Sequence, residues 1–153
     1  MPNFVLDTGI VLGYLLKTQY AEEIEENIRT FKSPNTAIIC VVTKGEIFSI
    51  TKKNHWDTGK IERLEQLLAK IPSVDISDMR VIDAYAEIDA YSQGKLASSP
   101  LPNGMSSRNM GKNDLWIAAV AHITKATMLT TDADFDHLNA VYFPVIVFDP
   151  NKK

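Results

Sequence analysis

The stretch Thr36-Ala37-Ile38-Ile39-Cys40-Val41-Val42 is apolar or β-branched from end to end. It does not alternate, so it does not describe a strand with one wet face. Its composition is that of a central strand in a parallel sheet, covered by helices on both sides. Its surroundings agree. Phe4-Val5-Leu6 is a second short apolar run, ended by Asp7-Thr8, after which Ile10, Val11, Tyr14 and Leu15 recur at helical spacing. Ala21, Ile24, Ile28 and Phe31 continue as a surface helix stopped near Ser33-Pro34, with Glu25 and Arg29 placed for an i,i+4 ion pair.

Downstream of the opening stretch, Thr43-Lys44-Gly45-Glu46 has the spacing of a capping box and predicts a helix from Thr43 towards Lys53. Asp57 opens another, carrying Ile61, Leu64, Leu67, Leu68 and Ile71 and ended by Pro72. Val74 to Ile76 reads as a short strand, and Ser77 or Asp78 caps a helix bearing Val81, Tyr85, Ile88 and Tyr91 that closes at Gly94. Residues 97–112 hold four Ser, two Pro, two Gly and two Asn and form a long loop. Asn113-Asp114 begins an apolar, buried helix through Ala121, followed by a strand at Thr127 to Thr130, a turn at Asp132 to Asp136 and a last strand at Val145 to Phe148. Strands alternating with helices predict one α/β sandwich domain over residues 1–153, with a polar tail at 149–153.

Composition narrows the function classes. The chain has 153 residues, 45% apolar and 23% charged, as in an ordinary globular protein. A single cysteine, Cys40, excludes an internal disulfide and fits a reducing setting. No apolar run approaches the roughly 20 residues of a membrane helix. Met1-Pro2-Asn3-Phe4 lacks the basic lead of a signal peptide, so a cytoplasmic location with no membrane partner is expected.

In an open parallel sheet, sites form at the carboxyl ends of the strands, and acids collect there. Asp7 ends the first strand, Glu46 lies just past the second, Asp132 follows Thr127 to Thr131, and Asp114 opens the helix leading into that last strand. Carboxylates about 4 Å apart repel by about 4 kcal/mol per pair at an effective dielectric of about 20. A hard divalent cation relieves this, and an all-oxygen set suits Mg2+ or Mn2+ rather than zinc. Such an ion favours phosphodiester hydrolysis. Each acid also fits a structural role, because Asp7, Asp114 and Asp132 suit N-caps and Glu46 suits the capping-box glutamate.

These motifs resemble a known family. Phe4-Val5-Leu6-Asp7-Thr8 is similar to the opening of a PIN domain, Glu46 to its second acid, Asn113-Asp114-Leu115-Trp116-Ile117-Ala118-Ala119-Val120-Ala121 to its third motif, and Leu129-Thr130-Thr131-Asp132-Ala133-Asp134-Phe135 to its fourth. The resemblance spans residues 3 to 148, and within the family it is to VapC-type toxins of prokaryotic toxin–antitoxin pairs. It implies a three-layer α/β/α sandwich on a parallel sheet of about five strands and an Mg2+- or Mn2+-dependent endoribonuclease leaving 5′-phosphate and 3′-hydroxyl ends. It also implies a homodimer and a cognate antitoxin. Asp7, Glu46, Asp114 and Asp132 would be the catalytic metal-binding acids, with Asp134 a fifth candidate, and the adjoining Thr8, Asn113 and Thr131 would orient ligands or waters. Gly9 departs from the polar residue frequent in the family, and no glycine follows Glu46 closely.

The substrate side is basic. No acid occurs from Ala90 to Asn113, whereas Lys95, Arg108 and Lys112 do, so this segment reads as a flexible flap drawing a phosphate chain to Asp114. Lys44, Lys52 and Lys53 extend the track. His55, His122 and His137 read as structural or solvated, and Tyr14, Tyr85 and Trp116 as core. The net charge of −3 does not oppose an RNA partner, because setting aside the four acids leaves 15 acidic residues against 16 basic ones. Two other readings stay open: a PIN-fold module that binds RNA or protein without cutting, and a metal-dependent phosphatase.

Overall fold

The computed structural model describes residues 2–151, so Met1 of the expected domain and Lys152 and Lys153 of its expected polar tail lie outside the described residues. β1 (Asn3–Leu6) leads into α1 (Thr8–Leu15) and α2 (Gln19–Asn27), and β2 (Thr36–Cys40) into α3 (Val41–Lys53) and α4 (Thr58–Leu68). β3 (Ser73–Val74) leads into α5 (Met79–Ser92) and α6 (Lys112–Ile123), and β4 (Thr127–Thr130) into a short 3-10 helix (Ala133–Leu138) and β5 (Val145–Val147).

Every strand pairing is parallel, in the order β3-β2-β1-β4-β5. The chain winds from β1 to one edge, crosses back to β4 and winds the other way. Order reverses between β1 and β4, which is where an open sheet of this kind leaves a crevice. Leu6 is in register with Leu129, so the residues that follow, Asp7 and Thr130, come side by side at the carboxyl edge.

The strands alternate between two cores, which makes the fold a three-layer α/β/α sandwich. Val5, Ile38, Cys40 and Met128 point to one side, under α5 and α6, where Ile88, Tyr91, Ile117 and Val120 are buried. Leu6, Ala37, Ile39 and Leu129 point to the other, against Ile10, Ile24, Ile47 and Leu64 of α1, α2, α3 and α4. Both faces are dry, hence the continuous apolar strands.

Several local expectations shift. The run from Thr36 is a strand only to Cys40; Val41 and Val42 already belong to α3, whose N-cap is Cys40. An unbroken apolar run does not distinguish a buried strand from a buried helix start. The capping box at Thr43 therefore does not form: Thr43 is fully buried inside the helix. α2 ends at Asn27, not near Ser33, and Arg29 is left-handed at φ 61° while the Asn35 amide donates to the carbonyls of Ile28 and Arg29. Ile28, the C-cap of α2, and Phe31, in the loop beyond it, keep the apolar rhythm because both pack on the core. Glu25 accepts from the Tyr14 and Thr30 hydroxyls instead of pairing with Arg29. Asp78 rather than Ser77 caps α5.

The segment between α5 and α6 is tied down rather than a free flap. The Arg108 amide donates to the Ser92 carbonyl at 2.6 Å, Met110 is buried with its sulfur accepting from the Ser92 hydroxyl, and Leu96 and Leu101 pack on the core.

Candidate active site

Four chain segments bring acids to the crevice, and each has a local reason to be there. Asp7 follows β1 and is the N-cap of α1: its Oδ1 accepts from the Thr8 amide at 2.8 Å. Its Oδ2 accepts from the Thr130 hydroxyl at 2.7 Å, so the carboxylate does more than cap. Asp132 caps the 3-10 helix through the Asp134 amide at 3.0 Å, and Asp134 sits in that helix's first turn. Asp114 is not a cap, because α6 starts at Lys112 with Gly111 as its N-cap. Glu46 is not a capping-box residue either. The early start of α3 puts it in the second turn, where its Oε1 accepts from the Thr8 hydroxyl at 3.2 Å.

One carboxylate oxygen from each of Asp114, Asp132 and Asp134 lies within 4.8 Å of the others. Burial raises the Asp114 carboxyl to about 7, and the negative charges of Asp7, Asp132, Glu46 and Asp134 add to it. All five acids thus share one electrostatic environment. Burial also raises Asp7, against hydrogen bonds from Thr130 and Thr8 that oppose the rise. An all-oxygen donor set with unrelieved like charge fits a hard divalent cation, and Asp134, a secondary candidate by sequence, is in the tightest group.

The hydroxyl that organises the acids is one the sequence reading passed over. Thr130 is fully buried; it donates to Asp7 and accepts from the Asp132 amide at 3.0 Å, joining two acids from different strands. The signal was present in the side-by-side register of Asp7 and Thr130, but pairing of β1 with β4 is not written in either segment. Thr131 lies against α1, where a Cβ on Gly9 would collide with its hydroxyl. That contact accounts for the glycine that departs from the family pattern.

Of the expected substrate contacts, Arg108 and Lys53 have neighbours on or beside the elements that carry the acids, as does Asn113. Arg108 reaches the 3-10 helix, its guanidinium donating to the carbonyls of Ala133 and Asp134 at 3.4 and 3.5 Å. Lys95 is exposed, and Lys112 and Asn113 are exposed at the first two positions of α6. On α3, Lys44 is half-buried and Lys52 and Lys53 are exposed. A cavity of about 530 Å³ opens beside Glu46, with Lys53 and Asn113 in its wall.

Among the described residues, the histidines are not hydrogen-bond partners of the clustered acids' carboxylates. His137 is buried with Nε2 against the Ser92 hydroxyl at 2.7 Å, His122 Nδ1 contacts the Tyr142 carbonyl, and His55 is exposed past the end of α3. Tyr85 and Trp116 pack on each other with ring centroids 4.2 Å apart, and Tyr14 is held by Glu25 and Thr30.

The sequence matches the family model for the PIN domain over residues 4–141. No curated protein matches it in sequence. Among solved structures, VapBC2 from Rickettsia felis, bound to a DNA fragment from its promoter, is similar with a TM-score of 0.71 at 19% identity, over 96% of this chain and 99% of that one. VapBC-1 from nontypeable Haemophilus influenzae gives 0.69 at 19% identity, over 95% and 97%. VapBC-5 from Mycobacterium tuberculosis, a member of the VapBC family of toxin–antitoxin systems, gives 0.61 at 21% identity, over 97% and 100%. At these identities the likeness is one of fold.

Proposed function

The chain belongs to the PIN domain family, and from that premise we propose that it is a divalent-metal-dependent endoribonuclease, the toxin of a toxin–antitoxin pair. The observation that carries the reading is the convergence of Asp114, Asp132 and Asp134 at the switch point of the sheet, with Asp114 raised to about 7 by burial and by the surrounding carboxylates. A purely structural set of caps has no reason to accumulate that repulsion.

Asp114, Asp132 and Asp134 would hold the ion, Mg2+ or Mn2+, with Asp7 and Glu46 completing the ring of charge. When bound, such an ion supplies positive charge for the phosphoryl oxygens and acidifies a water. The remaining work falls to the chain. Thr130 and Thr8 hold the carboxylates of Asp7 and Glu46 in place, so little reorganisation is needed as charge develops on the phosphate. Lys95, Arg108, Lys112 and Lys53 draw the RNA backbone in, and Asn113 and Thr131 line its approach. Hydrolysis joins a water oxygen to phosphorus and breaks the bond to the 3′-oxygen, which leaves as a hydroxyl after taking up a proton. The products are a 5′-phosphate and a 3′-hydroxyl.

The VapBC relatives support a protein antitoxin as partner, and the family likeness supports a cytoplasmic homodimer. Among the described residues, no helix is long and apolar enough to cross a membrane. The test is calorimetric titration of the metal-free chain with Mn2+ and Mg2+, alongside cleavage of end-labelled single-stranded RNA. Binding with a micromolar to millimolar Kd and cleavage abolished by EDTA are expected. Absence of any metal binding at millimolar concentration sinks the nuclease reading and leaves a non-cutting RNA- or protein-binding module.

A further inference from the structure

One stripe of α3 lines the open cavity beside Glu46, and its first residue, Val42, also packs on the core under α5 and α6. Val42, Gly45, Glu46, Ser49, Ile50 and Lys53 stand at i, i+3, i+4, i+7, i+8 and i+11 and so share one side of the helix, with Asn113 joining from α6. Its volume, about 530 Å³, is in the range of small-molecule pockets, about 300–1,000 Å³.

Gly45 is the unexplained residue of that stripe. A glycine inside a helix weakens it relative to alanine, and here neither packing nor backbone conformation asks for one. A Cβ on Gly45 would meet nothing within 4 Å, whereas one on Gly9 would meet Thr131 and one on Gly13 the ring of Tyr20. Its missing side chain keeps the cavity floor open to a molecule arriving from solvent.

We infer that this cavity is the subsite for the RNA nucleotide flanking the scissile phosphate, with Gly45 leaving room for its base and Lys53 meeting the next phosphate along the strand. The inference rests on the nuclease reading above and adds the place and the residues. Three features favour a nucleotide. The cavity shares Glu46 with the acid cluster, so its occupant lies next to the reacting phosphate. Val42 and Ile50 offer apolar surface suited to a base or ribose face, and Ser49 and Asn113 offer hydrogen-bonding groups for its edge. Lys53 then stands about two helical turns from Glu46, a cation placed where the chain leaves.

The test uses the full chain and a pool of short, mixed-sequence, fluorescein-labelled single-stranded RNA, with cleavage followed in Mn2+ and binding by anisotropy in Ca2+. Gly45→Leu should keep the Mn2+ affinity of the parent, match or exceed its Tm because the helix loses a glycine, and raise KM about tenfold or more with kcat within about threefold, with Gly45→Ala intermediate in KM. Lys53→Met should weaken binding and lower the slope of log Kd against log salt by about one. A parental KM in folded Gly45→Leu, or an unchanged salt slope in Lys53→Met, overturns the subsite. A changed mass by light scattering in Gly45→Leu with parental KM also overturns it, making the stripe a contact between protein chains. Parent protein that binds Mn2+ but neither binds nor cuts the RNA overturns the nuclease reading itself.

Discussion

Replacing Asp114 by asparagine should stabilise the metal-free protein while destroying its metal site. In the folded chain the Asp114 carboxyl is raised from an ordinary value of 3.8 to about 7. The folded state therefore holds that proton more tightly than the unfolded one, and the stability this contributes at acid pH is lost as pH rises from about 4 through about 7. Three pH units at about 1.4 kcal/mol each give a ceiling of about 4 kcal/mol. Asp114 is half-buried, so water screens part of this and about 2 kcal/mol is the working figure. For a domain of this size each kcal/mol moves Tm by about 2–4 °C, hence an expected rise of about 4–8 °C for Asp114→Asn at pH 8 in EDTA. The difference should shrink towards zero at pH 4–5, where the parent carboxyl is already protonated and asparagine is its isostere. Thermal melts followed by circular dichroism at both pH values, with and without Mn2+, measure all four quantities. Mn2+ should raise the Tm of the parent at pH 8 and leave that of the variant unchanged. A variant no more stable than the parent at pH 8, or a gain independent of pH, would refute the claim that burial of Asp114, with the surrounding carboxylates, strains this site.

Three further expectations follow from the same geometry. Asp7→Asn should retain the fold, because asparagine caps a helix nearly as well as aspartate, yet lose Mn2+ binding in calorimetry and RNA cleavage; unchanged activity would make Asp7 a cap alone. Thr130→Val strands the Asp7 carboxylate and the Asp132 amide, which should cost about 1–3 kcal/mol and about 10–100-fold in metal affinity, whereas Thr130→Ser restores both; a serine variant as impaired as valine argues against the hydroxyl bridge. Gly13→Ala places a methyl against the Tyr20 ring, whose hydroxyl donates to the Gly9 carbonyl, so urea unfolding should show about 1–3 kcal/mol of lost stability.

Much of the candidate site could be read from four short motifs because they sit where elements begin or end, and such points are marked by a change between apolar and polar residues. Asp7 and Asp132 are placed by the ends of their strands, Asp114 by the polar start of an apolar helix, and Glu46 by its distance beyond Cys40. Where the reading slipped, the competing structures had the same local pattern. Val41 and Val42 suit a buried strand as well as a buried first turn, and Thr43 to Glu46 has capping-box spacing whether or not the helix begins there. Ile28 keeps the helical rhythm because it is the C-cap of α2, and Phe31 extends it from the following loop by packing against the Tyr14 ring.

The sequence by itself determined the alternation of strands and helices, the two-sided burial of the sheet and which acids are candidates for the site, since each follows from which residues are apolar over a few neighbouring positions. Tertiary structure alone decided which acids meet. Asp134 joins Asp114 and Asp132 because a 3-10 helix turns it back into the crevice. Thr130 reaches Asp7 because β4 pairs with β1, residues 123 apart in the chain. The opening on α3 beside Gly45 exists only once that helix has taken its place against α6. Short-range periodicity carries no record of such contacts, because they depend on register between distant strands rather than on the propensities of either one.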